Sequence, residues 1–272
     1  MPICSIHRYL FDLQGFLLLE NALDAEHVWQ LNDTLDAMPK MSPGEWYGHV
    51  HCQEHHPKRG INLQNVLEAG EPFERLIDHS AWIELAADFV GEIDGLYIDE
   101  SFASIRGPGE SINIHSGGHY HKIRTQFEYA DGKFHCGQIN ILIALSDIGP
   151  GDGATMVIPG SHKSNIQHPA LAGDYQNLMG QSAEGVQGAV EVHMKAGDAL
   201  LFVDALCHGS AERRNEGERR IMVYRYGPAW GRARYGYEPS DQLLGRLTAE
   251  RRKIVQPIAP QRPDLDAAKS KA

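Results

Sequence analysis

Two hydrophobic periods divide this chain. Up to about residue 91, apolar positions recur at helical spacing; from about residue 95 they alternate, or run together for a few positions between turns. In "NALDAEHVWQLNDTLDAM", Val28, Leu31, Leu35 and Met38 fall on one helical face. Asp24 stands where an N-cap would, and Leu23 and Val28 are placed to close a hydrophobic staple. "WIELAADFVG" predicts a second helix stopped by Gly91. Between them, residues 40–75 are rich in Gly, Pro, His and Lys and predict irregular loops with short elements.

The second half reads as strands. "GLYIDESFASI" runs to the turn at Gly107-Pro108-Gly109 and is followed by "SINIH". "RTQFEYADGKFHCGQINILIAL" predicts two strands around Asp131-Gly132. "ATMVIPG", "AVEVHM", "ALLFVDAL" and "RRIMVYRYGPAW" add four more, with a polar loop through residue 185. "SDQLLGRLTAERRKIV" predicts one late helix capped by Ser240. Many short strands with Gly-rich turns, preceded by helices, predict a mainly β sandwich or jelly roll with flanking helices. No repeat or linker interrupts residues 1–255, which are expected to form one domain, with 256–272 as a flexible tail.

Composition narrows the partners. A formal net charge of -11 over 272 residues argues against a nucleic-acid backbone or an anionic membrane as the main partner. The start, MPICSIHRYLFDL, lacks a signal-peptide pattern and no run is long enough to span a bilayer, so a cytoplasmic protein is expected. The four cysteines, Cys4, Cys52, Cys136 and Cys207, lie far apart without a CxxC pair and read as free thiols. Fifteen histidines are the first sign of metal chemistry.

Three of those histidines, His115, His119 and His121, sit in "NIHSGGHYHK". If the strand "SINIH" continues, Asn113, His115 and Gly117 share a face, with Ile112 and Ile114 opposite. A carboxylate two residues after His115 would complete a metal pair, but that position is Gly117. "LCHGS" offers His208 as a distant ligand, and eleven residues later Arg219 opens another strand, where a guanidinium could grip a dicarboxylate through two parallel hydrogen bonds. Gln138 and Asn140 share a strand face opposite Ile139, Ile141 and Ile143. That face either meets solvent or lines a barrel interior as a polar pocket wall. "GPGDG" lacks the Lys and the following helix of a phosphate loop and reads as a turn.

"ALSDIGPGDGATMVIPGSHKSN", "AGDALLFVDALCHGS" and "GERRIMVYRYGP" resemble the core motifs of the phytanoyl-CoA dioxygenase family of Fe(II)/2-oxoglutarate oxygenases, and "GFLLLENALDAEHV" is similar to its opening strand and helix. The resemblance spans about residues 8–230. It implies a double-stranded β-helix (a cupin-like jelly roll), an Fe(2+) held by a His-x-Asp/Glu…His triad, and an Arg on the far carboxylate of 2-oxoglutarate. On this sequence it implies His208 as the distal iron ligand and Arg219 as the co-substrate Arg, with Arg220 as the register alternative. Ser210 and Asn140 join the 2-oxoglutarate site, and Gln138 and Asn113 the pocket. His162 and Lys163 of "PGSHK" are expected to structure a loop or rim a pocket rather than bind iron.

The family's His-x-Asp falls near Arg124-Thr125-Gln126 by direct counting. Lengthening the hairpin at Asp131-Gly132 moves it to His115, with Gly117 in the carboxylate position. Three readings follow. Iron is held by His115 and His208 with the third place vacant, either for hydroxylation or, with chloride filling the gap, for halogenation. Alternatively His119 and His121 join His208 in a three-histidine, cupin-like site. Or a carboxylate arrives from Glu110, Asp204 or Glu128, or the barrel is a non-catalytic binding protein. Hydroxylation of a small organic substrate, using O2 and 2-oxoglutarate, is the expectation carried forward.

Overall fold

The computed structural model describes residues 4–91, 95–171, 184–231 and 237–256. The expected tail beyond 256, the middle of the 163–185 loop and the segment after Gly231 lie largely outside these residues. The N-terminal half supplies α1 (Ser5–Gln14), β1 (Phe16–Leu19), α2 (Ala25–Ala37), β2 (Trp46–Tyr47), β3 (Val50–His56), β4 (Gly60–Gln64), α3 (Glu71–Glu74) and α4 (Ile83–Val90). The strand-rich half follows with β5 (Leu96–Arg106), β6 (Ile112–His115), β7 (Phe127–Ala130), β8 (Lys133–Cys136), β9 (Ile139–Ala144) and β10 (Thr155–Val157). It continues through β11 (Val190–Val192), β12 (Ala199–Val203), β13 (His208–Ser210) and β14 (Arg219–Pro228), and closes with α5 (Asp241–Arg246) and α6 (Ala249–Val255).

The strands form an eight-stranded sheet in the order β1-β12-β9-β14-β5-β4-β3-β2 and a four-stranded sheet in the order β11-β10-β13-β6, with β7-β8 as a separate hairpin. All pairings are antiparallel, giving the two-sheet jelly roll expected of the strand pattern. Helices cover the outer face of the large sheet. Trp82 Nε1 donates to Tyr226 Oη at 3.1 Å and Tyr224 Oη donates to the Phe73 carbonyl at 2.8 Å, which ties β14 to the helical layer. Ile139, Ile141 and Ile143 are fully buried on this side. With both faces covered, β9 and β12 read as near-continuous apolar runs rather than alternating ones.

The elements the sequence marked most strongly form where their end signals sit. Asp24 caps α2 by accepting from His27 N at 2.8 Å. Gly91 ends α4 in the left-handed region at φ 70, and a Cβ there would strike the Phe134 carbonyl.

Three expectations need correction. Residues 40–75 are not mainly loop: β2, β3 and β4 complete the large sheet, and "VHCQEHH" and "GINLQ" hid this because their inward positions are polar. "RTQFEYADGKFHCGQINILIAL" holds three strands, because the chain leaves the hairpin at Gly137 before β9 joins the large sheet. The late helix is two helices, broken where Leu247 turns extended and Thr248 caps α6. Among the described residues no helix is long and apolar enough to cross a membrane, and all four cysteines are free.

Candidate active site

The concave face of the large sheet meets the small sheet across a cavity of about 520 Å³. Cross-strand register puts Arg219, Ile221, Val223 and Arg225 of β14 on this face, opposite Arg106, Ser104, Phe102 and Glu100 of β5. From the small sheet, β6 brings Asn113 and His115, β13 brings His208 and Ser210, and β10 brings Thr155. The cavity is therefore a corridor between two polar ends, with Phe102, Leu142, Ile221 and Val223 between them.

At one end His115 and His208 are register partners on β6 and β13, their ring centroids 4.2 Å apart. His115 Nδ1 lies 2.9 Å from the Asn113 carbonyl and His208 Nδ1 lies 2.7 Å from the Leu206 carbonyl. A carbonyl can only accept, so each Nδ1 carries the proton and each Nε2 keeps a free lone pair, the state a metal needs. Burial pulls both imidazole pKa values below the ordinary histidine value, furthest for His208, which also feels His115. Phe202 packs on His208 with centroids 4.6 Å apart. Two neutral, pre-oriented imidazoles fit a divalent transition metal.

The rest of the "NIHSGGHYHK" reading changes. The strand does not continue past His115: Ser116 has φ 67 and Gly117 φ 123. Gly117 therefore does not share the face of His115, and a Cβ there would lie 2.6 Å from the His119 ring and 3.0 Å from Cys207 Sγ. Position 117 does not face a vacant ligand site. His119 packs against this glycine instead of reaching His208, and His121 is exposed on a separate surface depression. Among the described residues no three His, Cys, Asp or Glu side chains converge on a metal position. His119 and His121 therefore do not converge with His208 in this arrangement.

A carboxylate is nonetheless near. Asp204, fully buried just beyond β12, ion-pairs with Arg124 and accepts from Asn140 Nδ2 at 3.2 Å. Its charge acts on both imidazoles, opposing the effect of burial. Of the other candidates, Glu110 ion-pairs with Lys58 at the cavity mouth and Glu128 is exposed on the β7-β8 hairpin. Beside Asp204 the polar end continues through Arg225, ion-paired with Glu100, which accepts from Gln64 Nε2 at 2.9 Å.

The other end has the opposite character. Arg219 is 3% exposed, and among the described residues its guanidinium makes one hydrogen bond, a long 3.5 Å contact to Thr155 Oγ1. Its Nε has no partner, and no carboxylate among the described residues ion-pairs with it. Burial, with Arg106 and Arg213 nearby, pulls its pKa down to about 9. It is still a cation at neutral pH. A buried, acid-free guanidinium at a cavity wall fits an incoming carboxylate. Arg220, the register alternative, points the other way and pairs with Asp36 and Glu218.

Two further expectations shift. Asn140 lies opposite Arg225, not Arg219, six residues or about 20 Å along β14, so it cannot share a carboxylate with Arg219. It belongs to the histidine end. Gln138 is 1% exposed, donates to Asp99 Oδ2 at 2.9 Å and does not line the cavity. Gln138 and Asn140 are both buried, so their face does not meet solvent, yet neither lines this cavity. His162 and Lys163 bond to Asp12 on α1, which is a structuring role. Sequence reading missed Arg106, Asp204 with Arg124 as a pair, and Phe202. Their inward phase was visible, but their partners come from strands remote in sequence.

Residues 11–221 match the family profile described as phytanoyl-CoA dioxygenase. The chain belongs to that family. With it comes membership of the Fe(II)/2-oxoglutarate oxygenase superfamily and enzymatic character of that class. The chain is 26% identical over 245 residues to the dioxygenase cdmD of Talaromyces verruculosus, covering 84% of this chain and 73% of that protein. It is 35% identical to the dioxygenase trt7 of Aspergillus terreus, over 30% of this chain and 24% of that one. Among solved structures, HygX of Streptomyces hygroscopicus with nickel and 2-oxoglutarate bound superposes with TM-score 0.71 at 24% identity, covering 85% of this chain and 89% of HygX. HygX with nickel, 2-oxoglutarate and hygromycin B bound gives TM-score 0.70 at 25% identity over the same shares.

Proposed function

We propose that this protein is an Fe(II)/2-oxoglutarate-dependent oxygenase that hydroxylates a small polar organic molecule. His115 and His208 would be its metal ligands, and Arg219 with Ser210 its hold on the far carboxylate of 2-oxoglutarate. The observation that carries this reading is the placement of a buried guanidinium without an acid partner on the same cavity wall system as two imidazoles whose Nε2 lone pairs are free. Iron with O2 and 2-oxoglutarate would supply the oxidising power to break a substrate C–H bond, releasing succinate and carbon dioxide.

The chain's own contribution is binding and orientation. The main-chain carbonyls of Asn113 and Leu206 fix the imidazole tautomers. Arg219 would set the direction of the co-substrate, and the apolar middle of the corridor would exclude water. Arg225, Asn62, Glu54 and Arg59 line the same cavity and favour a substrate with several hydrogen-bonding groups.

Anaerobic titration of the metal-free protein with Fe(II), then 2-oxoglutarate, tests the reading. A weak visible charge-transfer band is expected in the wild type, and its loss in His208→Ala. Metal binding with no band on adding 2-oxoglutarate would overturn it. Running turnover with and without chloride separates hydroxylation from the halogenating alternative, which predicts a chlorinated product.

A further inference from the structure

We infer that Arg106 is a positioning residue for the co-substrate: it makes Ser210 an obligatory hydrogen-bond donor toward the carboxylate that Arg219 holds. This rests on the reading of Arg219 given above. Arg106 and Arg219 are direct cross-strand partners on β5 and β14, both turned inward, at 2% and 3% exposure. Two like charges opposite one another in a sheet repel. Among the described residues neither has a carboxylate in ion-pair contact. Arg106 is held instead by oxygen atoms of the small-sheet side, its Nη1 donating to Ser210 Oγ at 2.9 Å and its Nη2 to the Glu110 carbonyl.

The hydroxyl of Ser210 is the centre of the argument. It also accepts from Ile112 N, at 3.0 Å. A serine oxygen has two lone pairs and one hydrogen. Both lone pairs are taken, by a guanidinium and a main-chain N–H that cannot accept in return. The hydrogen therefore cannot turn back toward either neighbour. Ser210 lines the cavity beside Thr155, its register partner, and Arg219. What remains for the hydroxyl is to donate into the cavity, next to Arg219. The charge on Arg106 also polarises the O–H, and hydrogen bonds with a charged partner are the stronger kind. Arg106 itself does not line the cavity, so it acts through Ser210.

The test is a double-mutant cycle read by calorimetry on the metal-free full chain. The probe is glutarate, a dicarboxylate without the keto group, so that it reports this end alone. Arg106→Gln is expected to weaken glutarate about tenfold, Ser210→Ala by a similar factor, and Arg106→Lys by less than about threefold. In the Ser210→Ala background, Arg106→Gln is expected to cost less than about twofold. In turnover, Arg106→Gln raises the KM for 2-oxoglutarate while kcat stays within about threefold.

Wild-type affinity in Arg106→Gln would overturn the inference, as would an equal loss with and without Ser210. A folded Arg106→Gln that lowers kcat while KM for 2-oxoglutarate and glutarate affinity stay at wild type also overturns it. Arg219→Gln is the control for the underlying reading: if it leaves glutarate binding intact, the assignment of Arg219 fails whatever Arg106 does. Should Arg106→Gln fail to fold, the same cycle run with Arg106→Lys decides, a loss independent of Ser210 counting against the inference.

Discussion

The two polar ends of the cavity differ in how their charges are balanced. At the histidine end every described charge has an opposite neighbour: Asp204 with Arg124, and Glu100 with Arg225. The imidazoles themselves are neutral there. At the arginine end, Arg219 and Arg106 face each other and, among the described residues, neither is in ion-pair contact with an acid. Burying unpaired charge is costly, and a cation already paired with an acid has less to gain from a carboxylate. The first end balances its charges within the protein; the second, on the proposed reading, would be balanced by an incoming anion.

This contrast yields expectations of decreasing size. His208→Ala is expected to weaken Fe(II) binding by at least about 100-fold, since even outer partners of metal ligands are worth tens of fold. Isothermal titration with Fe(II) under argon measures it. Arg219→Gln is expected to weaken 2-oxoglutarate about 100-fold while leaving Fe(II) affinity unchanged, and Arg219→Lys recovers little because an ammonium cannot form the two parallel bonds. Equal losses of metal and co-substrate in Arg219→Gln would erase the distinction between the ends.

Asp204→Asn tests the paired end by stability. Removing one member of a buried ion pair costs about 3 to 5 kcal/mol, read as a lower urea midpoint, whereas Arg219→Gln is expected to leave the midpoint unchanged or raised. At the arginine end stability is gained by ligand instead. Saturation with a dicarboxylate at about 100 times its Kd adds about 2.7 kcal/mol, visible as a raised Tm without any metal.

The smallest effect lies outside both ends. His162 is buried, and burial lowers its pKa to about 4. The unfolded chain takes up that proton below about pH 6.5 while the folded one does not. Stability is therefore full above pH 6.5 and falls as the pH drops toward 4. Denaturation curves at pH 7 and 5 show this, and His162→Gln reduces the difference.

How legible was this in the sequence? His208 and Arg219 were readable as cavity residues because short motifs fix both on successive strands, and the structure lines the same cavity with both. His115 was placed by lengthening the hairpin at Asp131-Gly132 with strand phase preserved, and it does stand opposite His208. The same reasoning failed two residues later, because phase is lost wherever the chain leaves extended geometry, and nothing in "HSGG" announces left-handed Ser116. The strands in residues 50–64 were hidden by an inner face that is polar for the sake of the cavity. Arg106 was illegible as a site residue, and Asp204 was legible only as one of three candidate carboxylates, because their meaning lies in partners 104 and 80 positions away.

The bend at Ser116 and Gly117 carries a consequence for redesign. Placing an acidic residue at position 117 would not create a three-ligand centre. An L side chain is strained at φ 123 and would point at the His119 ring and Cys207 rather than at the two imidazoles. The direction a side chain at position 117 would take is set by the path of the main chain, so exchanging one side chain would not bring a carboxylate to the two imidazoles.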